Sequence, residues 1–159
     1  MTTKEIFEKL KNEFNDDVIS IFDDGMVSEP FITVSSKNLI DIMLFLRDEK
    51  GLMFDYLSCL SGVDYKENFT VIYNLFSIEI HHRLTVKVEL PKDNPVIPSV
   101  ELIWRSADWH ERETYDMYGI IFEGHHNLIR ILNPYDWEGY PLRKDYKAPE
   151  EYHGIKVPY

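Results

Sequence analysis

The chain has 159 residues, with 17 Lys or Arg against 28 Asp or Glu, so its formal net charge at pH 7 is −11. Such an acidic balance disfavours nucleic-acid binding, which depends on basic surfaces. The 44% hydrophobic content is close to that of globular domains and disfavours wholesale disorder. The longest wholly apolar run, residues 42–46, is far too short to span a bilayer. We therefore expect any membrane association to come through a partner.

Cys59 is the only cysteine, so an internal disulfide is impossible, and one thiolate cannot supply the ligands of an ordinary iron–sulfur cluster. It lies in the mostly apolar segment 56–60. This setting predicts a buried structural cysteine, with a catalytic thiol as the alternative.

The first sixty residues predict two helices and two short strands. Ile6, Leu10 and Phe14 fall on one stripe at helical spacing, whereas Val18–Phe22 is mostly apolar and β-branched. In chain order the predicted elements are a helix capped by Thr3, strands at Val18–Phe22 and Phe31–Val34 with a turn at 23–25 between them, a helix over 38–49, and a further helical turn over 54–60.

The next segment predicts an antiparallel hairpin from residues 69–80 and 83–90. Apolar and polar side chains alternate along the second of these strands, which is typical of a sheet with one wet face. Residues 91–98 contain three prolines and predict a loop, because proline cannot continue a strand ladder. Residues 99–118 then predict a long helix, with Ser99 as its N-cap and Gly119 as its stop.

Residues 120–159 predict an extended arm. They hold four prolines, three glycines and many Tyr and Trp side chains, a density of aromatics that disfavours disorder. The predicted fold is therefore α/β, of the α+β type: a domain of residues 1–119, with an antiparallel-rich sheet of about four strands packed by helices, followed by an extended C-terminal arm, residues 120–159, that folds against a partner.

The histidines and glycines predict no metal or nucleotide site. Side chains of the adjacent pairs 81–82 and 125–126 should diverge, which is poor chelate geometry. His110-Glu111 begins like a zinc-protease helix, but Thr114 stands where the second histidine is required. Gly119 and Gly124 have phosphate-loop spacing without the lysine that must follow.

Two charged segments stand out. On a helix, Asp108, Arg112 and Asp116 are stacked four residues apart, which predicts ion pairs on both sides of Arg112, most simply on a solvated face. Glu111 and Glu113 point apart and do not form a hydrolase carboxylate pair. The second segment, residues 143–145, follows a predicted turn, and either a partner contact or an ordinary solvated turn fits it.

The ordered motifs of residues 111–145 resemble the 30-kDa-subunit family of respiratory complex I, the proton-pumping NADH:quinone oxidoreductase. The residues that carry the resemblance are Glu-Arg-Glu at 111–113, Tyr-Asp-Met-Tyr-Gly-Ile at 115–120, Phe-Glu-Gly-His at 122–125, Arg-Ile-Leu at 130–132 and Tyr-Pro-Leu-Arg-Lys-Asp at 140–145. His126 and Ile129 depart from the family's usual proline and basic residue.

The resemblance implies a hetero-oligomeric respiratory complex in which this chain holds no cofactor or catalytic group. Iron–sulfur clusters, FMN and quinone would belong to partner subunits, and the direct partners would be subunits D, B and I. The implied location is peripheral, on the cytoplasmic face of the bacterial plasma membrane. Relatives in energy-converting hydrogenases and in ferredoxin- or deazaflavin-linked dehydrogenases leave the electron donor open.

The resemblance also implies structural and interface roles for eight residues. Those expected to fix the last helix and the base of the arm are Glu111, Arg112, Glu113 and Asp116, and those expected to anchor the arm by charge-assisted pairs are Arg130, Arg143, Lys144 and Asp145. Two other classes stay open: a free-standing enzyme with Glu111 or His125 as acid–base, and a binding module outside respiration.

Overall fold

The computed structural model describes residues 1–23 and 29–157. Apart from Asp23, the predicted turn at 23–25 lies outside these residues. Over the described ranges the α-helices are α1 (Thr3–Phe14), α2 (Leu39–Asp48) and α3 (Ala107–Tyr118), with a 3₁₀ turn at Asn15–Asp17. The strands are β1 (Val18–Phe22), β2 (Phe31–Val34), β3 (Tyr56–Asp64), β4 (Asn68–Phe76), β5 (Arg83–Pro91), β6 (Val96–Pro98), β7 (Ile121–Glu123), β8 (Glu151–Tyr152) and β9 (Ile155–Lys156).

The main sheet has five strands in the order β1-β2-β5-β4-β3, and every pairing is antiparallel except β2 with β5. The mixed α and β composition and the mostly antiparallel sheet confirm the predicted fold class. β6 and β7 form a separate parallel pair, and β8 and β9 a small antiparallel hairpin. The long β3-β4-β5 meander forms one end of the sheet and, through β3, supports α3.

One core joins the helices to the sheet. Along β5, the side chains of Leu84, Val86, Val88 and Leu90 are all buried, as their alternation predicts. The other buried apolar side chains of this core include Ile6 and Leu10 from α1, Leu39, Ile42, Met43 and Leu46 from α2, and Phe69, Val71, Tyr73 and Leu75 from β4. Burial of each such side chain contributes roughly 1.5–3 kcal/mol to folding.

The predicted helical turn over 54–60 is wrong, because this segment enters β3. Short apolar runs fit a strand and a helix equally well by pattern alone, and pairing with β4 decides the outcome here. Cys59 is half-buried on β3 rather than fully buried, with its Sγ 3.3 Å from the Ser61 hydroxyl. The predicted loop over 91–98 is also partly wrong, since its end forms β6 beside β7.

Both predicted helix caps need correction. The cap of α1 is Thr2 rather than Thr3: its hydroxyl accepts from the Glu5 N–H, and the Glu5 carboxylate accepts from the Thr2 N–H. The third helix begins at Ala107, not at Ser99. Its predicted end is confirmed, because Gly119 closes α3 in the left-handed conformation, at φ 73°.

Candidate functional site

The base of the arm is organised around one buried carboxylate on α3. Asp116 is 0% exposed, and its Oδ2 accepts from three consecutive backbone N–H groups, those of residues 131, 132 and 133, at 3.1, 2.8 and 2.9 Å. Its Oδ1 accepts from Asn133 Nδ2 at 2.9 Å. Burial alone would raise the pKa of Asp116, but these hydrogen bonds outweigh it and hold the pKa below its ordinary value. The carboxylate thus fixes the path of the chain as the arm leaves the domain.

Arg130 completes this arrangement. Its Nη1 lies 2.7 Å from Asp116 Oδ1, and its Nη2 donates to the Gly139 carbonyl at 2.9 Å. The guanidinium also lies 5.1 Å from the centroid of the Tyr140 ring. Arg130 therefore links α3, through a charge-assisted pair with Asp116, to the segment at Gly139 and Tyr140, through a hydrogen bond and a cation–π contact.

Arg143 is seated against the domain. Its Nε donates to the Tyr118 carbonyl at 2.6 Å, at the C-terminal end of α3 where cations are favoured. Its guanidinium lies 5.0 Å from the Phe69 ring centroid and 4.5 Å from that of Tyr140. The guanidinium is therefore engaged within this chain, between a core strand and the arm.

Lys144 contacts the domain through its backbone rather than through its charged group. The backbone N–H of Lys144 donates to Asp64 Oδ2 at 2.7 Å, and Lys92 Nζ lies 2.5 Å from Asp64 Oδ1. Burial would raise the pKa of Asp64, but these two partners outweigh it and lower the pKa. The Lys144 and Asp145 residues are exposed, so their charged groups are presented outward.

Gly119 permits the arm to pass close to the end of α3. A Cβ at this position would lie 2.5 Å from the Tyr140 ring and 2.6 Å from Arg143 Nη2. Since φ is also 73°, we expect Gly119→Ala to lower the free energy of unfolding by about 2 kcal/mol, from backbone strain and overpacking together. Chemical denaturation of purified chains measures this.

Gly124→Ala is the matched control for that substitution. Its φ is 86°, but nothing lies within 4 Å of the added Cβ, so only the backbone strain remains, about 1 kcal/mol. An equal loss of unfolding free energy in the two variants would show that the packing of the arm over Gly119 does not affect stability.

The solvated charged face predicted for α3 is wrong for its two central carboxylates. Glu111, like Asp116, is 0% exposed; it accepts from Ser99 Oγ at 2.5 Å and from the Val100 N–H at 2.8 Å. Burial raises the pKa of Glu111 to about 7, although both hydrogen bonds act in the opposite direction. The turn preceding α3 is therefore attached to the helix through a carboxyl group that titrates near neutrality.

Arg112 and Glu113 lie on the outer side of α3. The predicted pairing of Arg112 with Asp116 is wrong: Arg112 Nε donates to the Ile129 carbonyl at 3.3 Å, and its guanidinium lies 5.0 Å from the Trp109 ring. Glu113 is exposed. The arm therefore contacts α3 at two places: residues 130–133 bind the buried carboxylate of Asp116, and the Ile129 carbonyl binds Arg112 on the outer side.

The second histidine doublet does not have the predicted divergent geometry. The rings of His125 and His126 are stacked, with centroids 5.2 Å apart and planes 12° from parallel. His126 Nδ1 lies 2.8 Å from Glu101 Oε2, and His125 Nδ1 lies 3.9 Å from the same oxygen. The two imidazoles therefore converge on one carboxylate that is 3% exposed.

Apolar side chains are unusually exposed along the arm and the outer face of α3. Among the described residues, ten large hydrophobic side chains are at least half exposed, and seven of them lie between residues 102 and 155. We call five of these, which follow α3 and the first half of the arm, the arm surface: Trp109, Ile129, Leu132, Tyr135 and Leu142. Such groups of exposed apolar residues commonly mark protein–protein interfaces.

Comparison with known sequences gives a consistent set of relatives. Residues 32–152 match the family described as "Respiratory-chain NADH dehydrogenase, 30 Kd subunit". The chain is 52% identical over 156 residues to the C subunit of the NADH-quinone oxidoreductase of Chloroherpeton thalassium, covering 96% of this chain and 64% of that relative. It is 48% identical over 156 residues to the same protein of Chlorobium phaeobacteroides, covering 96% of this chain and 93% of that relative.

Two solved structures share the architecture. The trypsin-resistant fragment (1-134) of Nqo5 is 28% identical, with a TM-score of 0.67, and the similarity covers 80% of this chain and all of that one. A chain of the membrane-bound sulfane sulfur reductase, an archaeal respiratory membrane complex, has a TM-score of 0.73 over 91% of this chain and 85% of its own. At 22% identity, the latter similarity concerns the fold alone.

Proposed function

The chain belongs to the 30 kDa subunit family of respiratory-chain NADH dehydrogenase, and from this membership we propose that it is a non-catalytic structural subunit of a proton-translocating NADH:quinone oxidoreductase. In this proposal it lies in the peripheral arm of the complex, beside subunits D, B and I, and helps hold the quinone-reducing module together. The iron–sulfur clusters, FMN and quinone belong to the partner subunits.

The observation that carries the proposal is the arm surface. Tyr135 is 92% exposed, and Leu132 and Trp109 are each 63% exposed, although the backbone beneath Leu132 is fixed by Asp116. A rigid segment that presents apolar side chains to solvent suits docking, because little conformational entropy is lost on association. The anchoring of Arg130 and Arg143 within this chain supports a role in pre-organising that surface.

Membrane association follows from the same proposal. No helix in residues 1–23 and 29–157 is long and apolar enough to cross a bilayer. We propose that the chain reaches the cytoplasmic face of the plasma membrane through its partners. Relatives named as parts of NADH-quinone oxidoreductase favour NADH as the ultimate donor over the ferredoxin- or deazaflavin-linked and hydrogenase alternatives.

A charge placed on the arm surface tests the docking role. With the affinity-tagged full chain expressed in its host, we expect Leu132→Asp to reduce recovery of the complex about 10-fold, which corresponds to roughly 1.4 kcal/mol of lost interaction. Ile78→Asp is the matched control, since Ile78 is 56% exposed but lies between β4 and β5, away from the arm. NADH:quinone reductase activity per assembled complex should stay unchanged in both variants.

Either of two outcomes would contradict the proposal. One is normal recovery of a Leu132→Asp complex whose quinone reduction has collapsed, which would place the arm in the chemistry. The other is turnover by the isolated chain, which would favour the free-standing enzyme.

A further inference from the structure

We propose that Glu101, His125 and His126 form a binding site for a transition-metal dication of the Zn²⁺ type. One ligand atom from each residue lies within 4.8 Å of the other two. This inference is independent of the proposed function, because it concerns only side chains of this chain.

The distances suit a tetrahedral ion. Zinc bonds to imidazole nitrogen and carboxylate oxygen are about 2.0–2.2 Å long, so ligands of one tetrahedral ion lie roughly 3.4 Å apart. The two Nδ1 atoms, at 2.8 and 3.9 Å from Glu101 Oε2, bracket that separation. Small side-chain rotations therefore bring the three atoms to bonding positions, and two nitrogens with one carboxylate oxygen favour Zn²⁺ over Mg²⁺ or Ca²⁺.

The hydrogen-bond partners of the His125 ring favour the tautomer that a metal ion needs. Its Nδ1 accepts from the Asn127 N–H at 3.0 Å, so in the neutral ring the proton resides on Nε2. Nε2 faces the Asp108 carbonyl at 3.1 Å and so donates to it. An ion would take the Nδ1 lone pair, and the N–H of the exposed Asn127 would turn to water.

The surroundings provide an outer shell. Asp108 Oδ1 lies 3.4 Å from His125 Nε2 and is a buried oxygen without a hydrogen-bond partner in the described chain. Histidine ligands of metals usually donate their second N–H to a carboxylate or carbonyl, which fixes the ring and strengthens it as a ligand. Arg105 Nη1 already pairs with the other oxygen of Glu101, Oε1, at 3.1 Å. A bound dication would therefore offset mainly the charge of Asp108, which lies beside His125.

The site is built at the surface end of a buried cluster. The His125 side chain is 0% exposed and that of Glu101 is 3% exposed, whereas that of His126 is 58% exposed. The buried ligands are thus held in place, and the open side at His126 lets an ion enter and leaves a position for water. Three protein ligands plus water is an ordinary zinc coordination.

Titration calorimetry of the full chain with Zn²⁺ at neutral pH, after treatment with a chelator, tests the site. We expect one ion per chain with a dissociation constant in the micromolar range or tighter. Mutation of a residue that only hydrogen-bonds to a metal ligand typically lowers metal affinity about 10–100-fold, and removal of a ligand itself should cost at least as much. We therefore expect Zn²⁺ affinity to fall by at least this factor in His126→Ala and in Glu101→Gln. The His126 side chain is exposed and can be removed without disturbing the core.

His153→Ala is the matched control. His153 Nε2 also lies 2.8 Å from a carboxylate oxygen, that of Asp136, and its side chain is 65% exposed, but it does not belong to the three-ligand cluster. Its binding curve should coincide with that of the wild type, and Co²⁺ bound to the wild type should give a visible absorption band that His126→Ala lacks. Absence of saturable 1:1 binding, or equal affinity of the wild type and His126→Ala, would overturn the proposal.

Discussion

Replacing Asp116 by alanine is expected to lower the free energy of unfolding by about 3–5 kcal/mol, the usual cost of removing one partner from a buried ion pair. The substitution leaves Arg130 without its carboxylate and deprives three backbone N–H groups, from Ile131 to Asn133, of their acceptor. We expect the part of the arm that follows β7 to detach before the sheet unfolds, because the hydrophobic core does not include the Asp116 contacts. Limited proteolysis and denaturant unfolding measure the two effects.

Asp136→Ala is the control for this prediction. Asp136 lies in the arm itself and accepts from two side chains, those of Tyr152 and His153, but these contacts lie at the surface. Solvent screens such pairs, so a much smaller change is expected. Comparable losses in the two variants would show that the buried carboxylate has no special part in holding the arm.

The second large effect concerns pH. The pKa of Glu111 is about 7 in the folded chain, against an ordinary value of 4.5. Between these two values the folded state binds more protons than the unfolded state, so stability falls as the pH rises. Because each pKa unit corresponds to about 1.36 kcal/mol, the loss attributable to Glu111 is roughly 3 kcal/mol at the alkaline end of this window.

Glu111→Gln should remove that dependence, since its amide oxygen can still accept from the Val100 N–H while its NH₂ group donates to Ser99 Oγ. The difference in unfolding free energy between wild type and variant should grow from about pH 4.5 to pH 7, in favour of the variant. Denaturant unfolding in the presence of a chelator measures it. Glu113→Gln makes the same chemical change at an exposed position of α3 and should leave the pH profile unaltered. If the unfolding free energies of wild type and Glu111→Gln changed in parallel with pH, the raised pKa attributed to the burial of Glu111 would be contradicted.

The local pattern of apolar and polar residues predicts correctly those elements in which the spacing of apolar side chains matches the face that is buried. The alternation along β5, the apolar stripe of α2 and the glycine stop of α3 all correspond to the structure. Residues 54–60 and 99–106 were not predictable in the same way, because their conformation depends on contacts with distant segments. Trp104 Nε1, for example, donates to the Phe54 carbonyl, fifty residues away.

The candidate site shows the same limit. Asp116 and Arg112 have ideal spacing for an ion pair on an isolated helix, yet the arm covers Asp116 and supplies Arg130 in place of Arg112. The charge pattern of α3 alone does not indicate that the arm, which follows later in the sequence, buries the face of the helix that carries Asp116. The convergence of His125 and His126 is unpredictable for a similar reason: outside a regular helix or strand, adjacent side chains need not diverge. His126 bonds to Glu101, whereas His125 is held by Asp108 and Asn127.

Hydroxyl-radical footprinting of the assembled respiratory complex and of the isolated chain tests the docking role most directly. We expect Trp109, Leu132 and Tyr135 to be reactive in the isolated chain and to lose most of their reactivity in the complex, since partner subunits would cover them. Undiminished oxidation of these three side chains in the native particle would contradict the assignment of the arm as a surface for other chains.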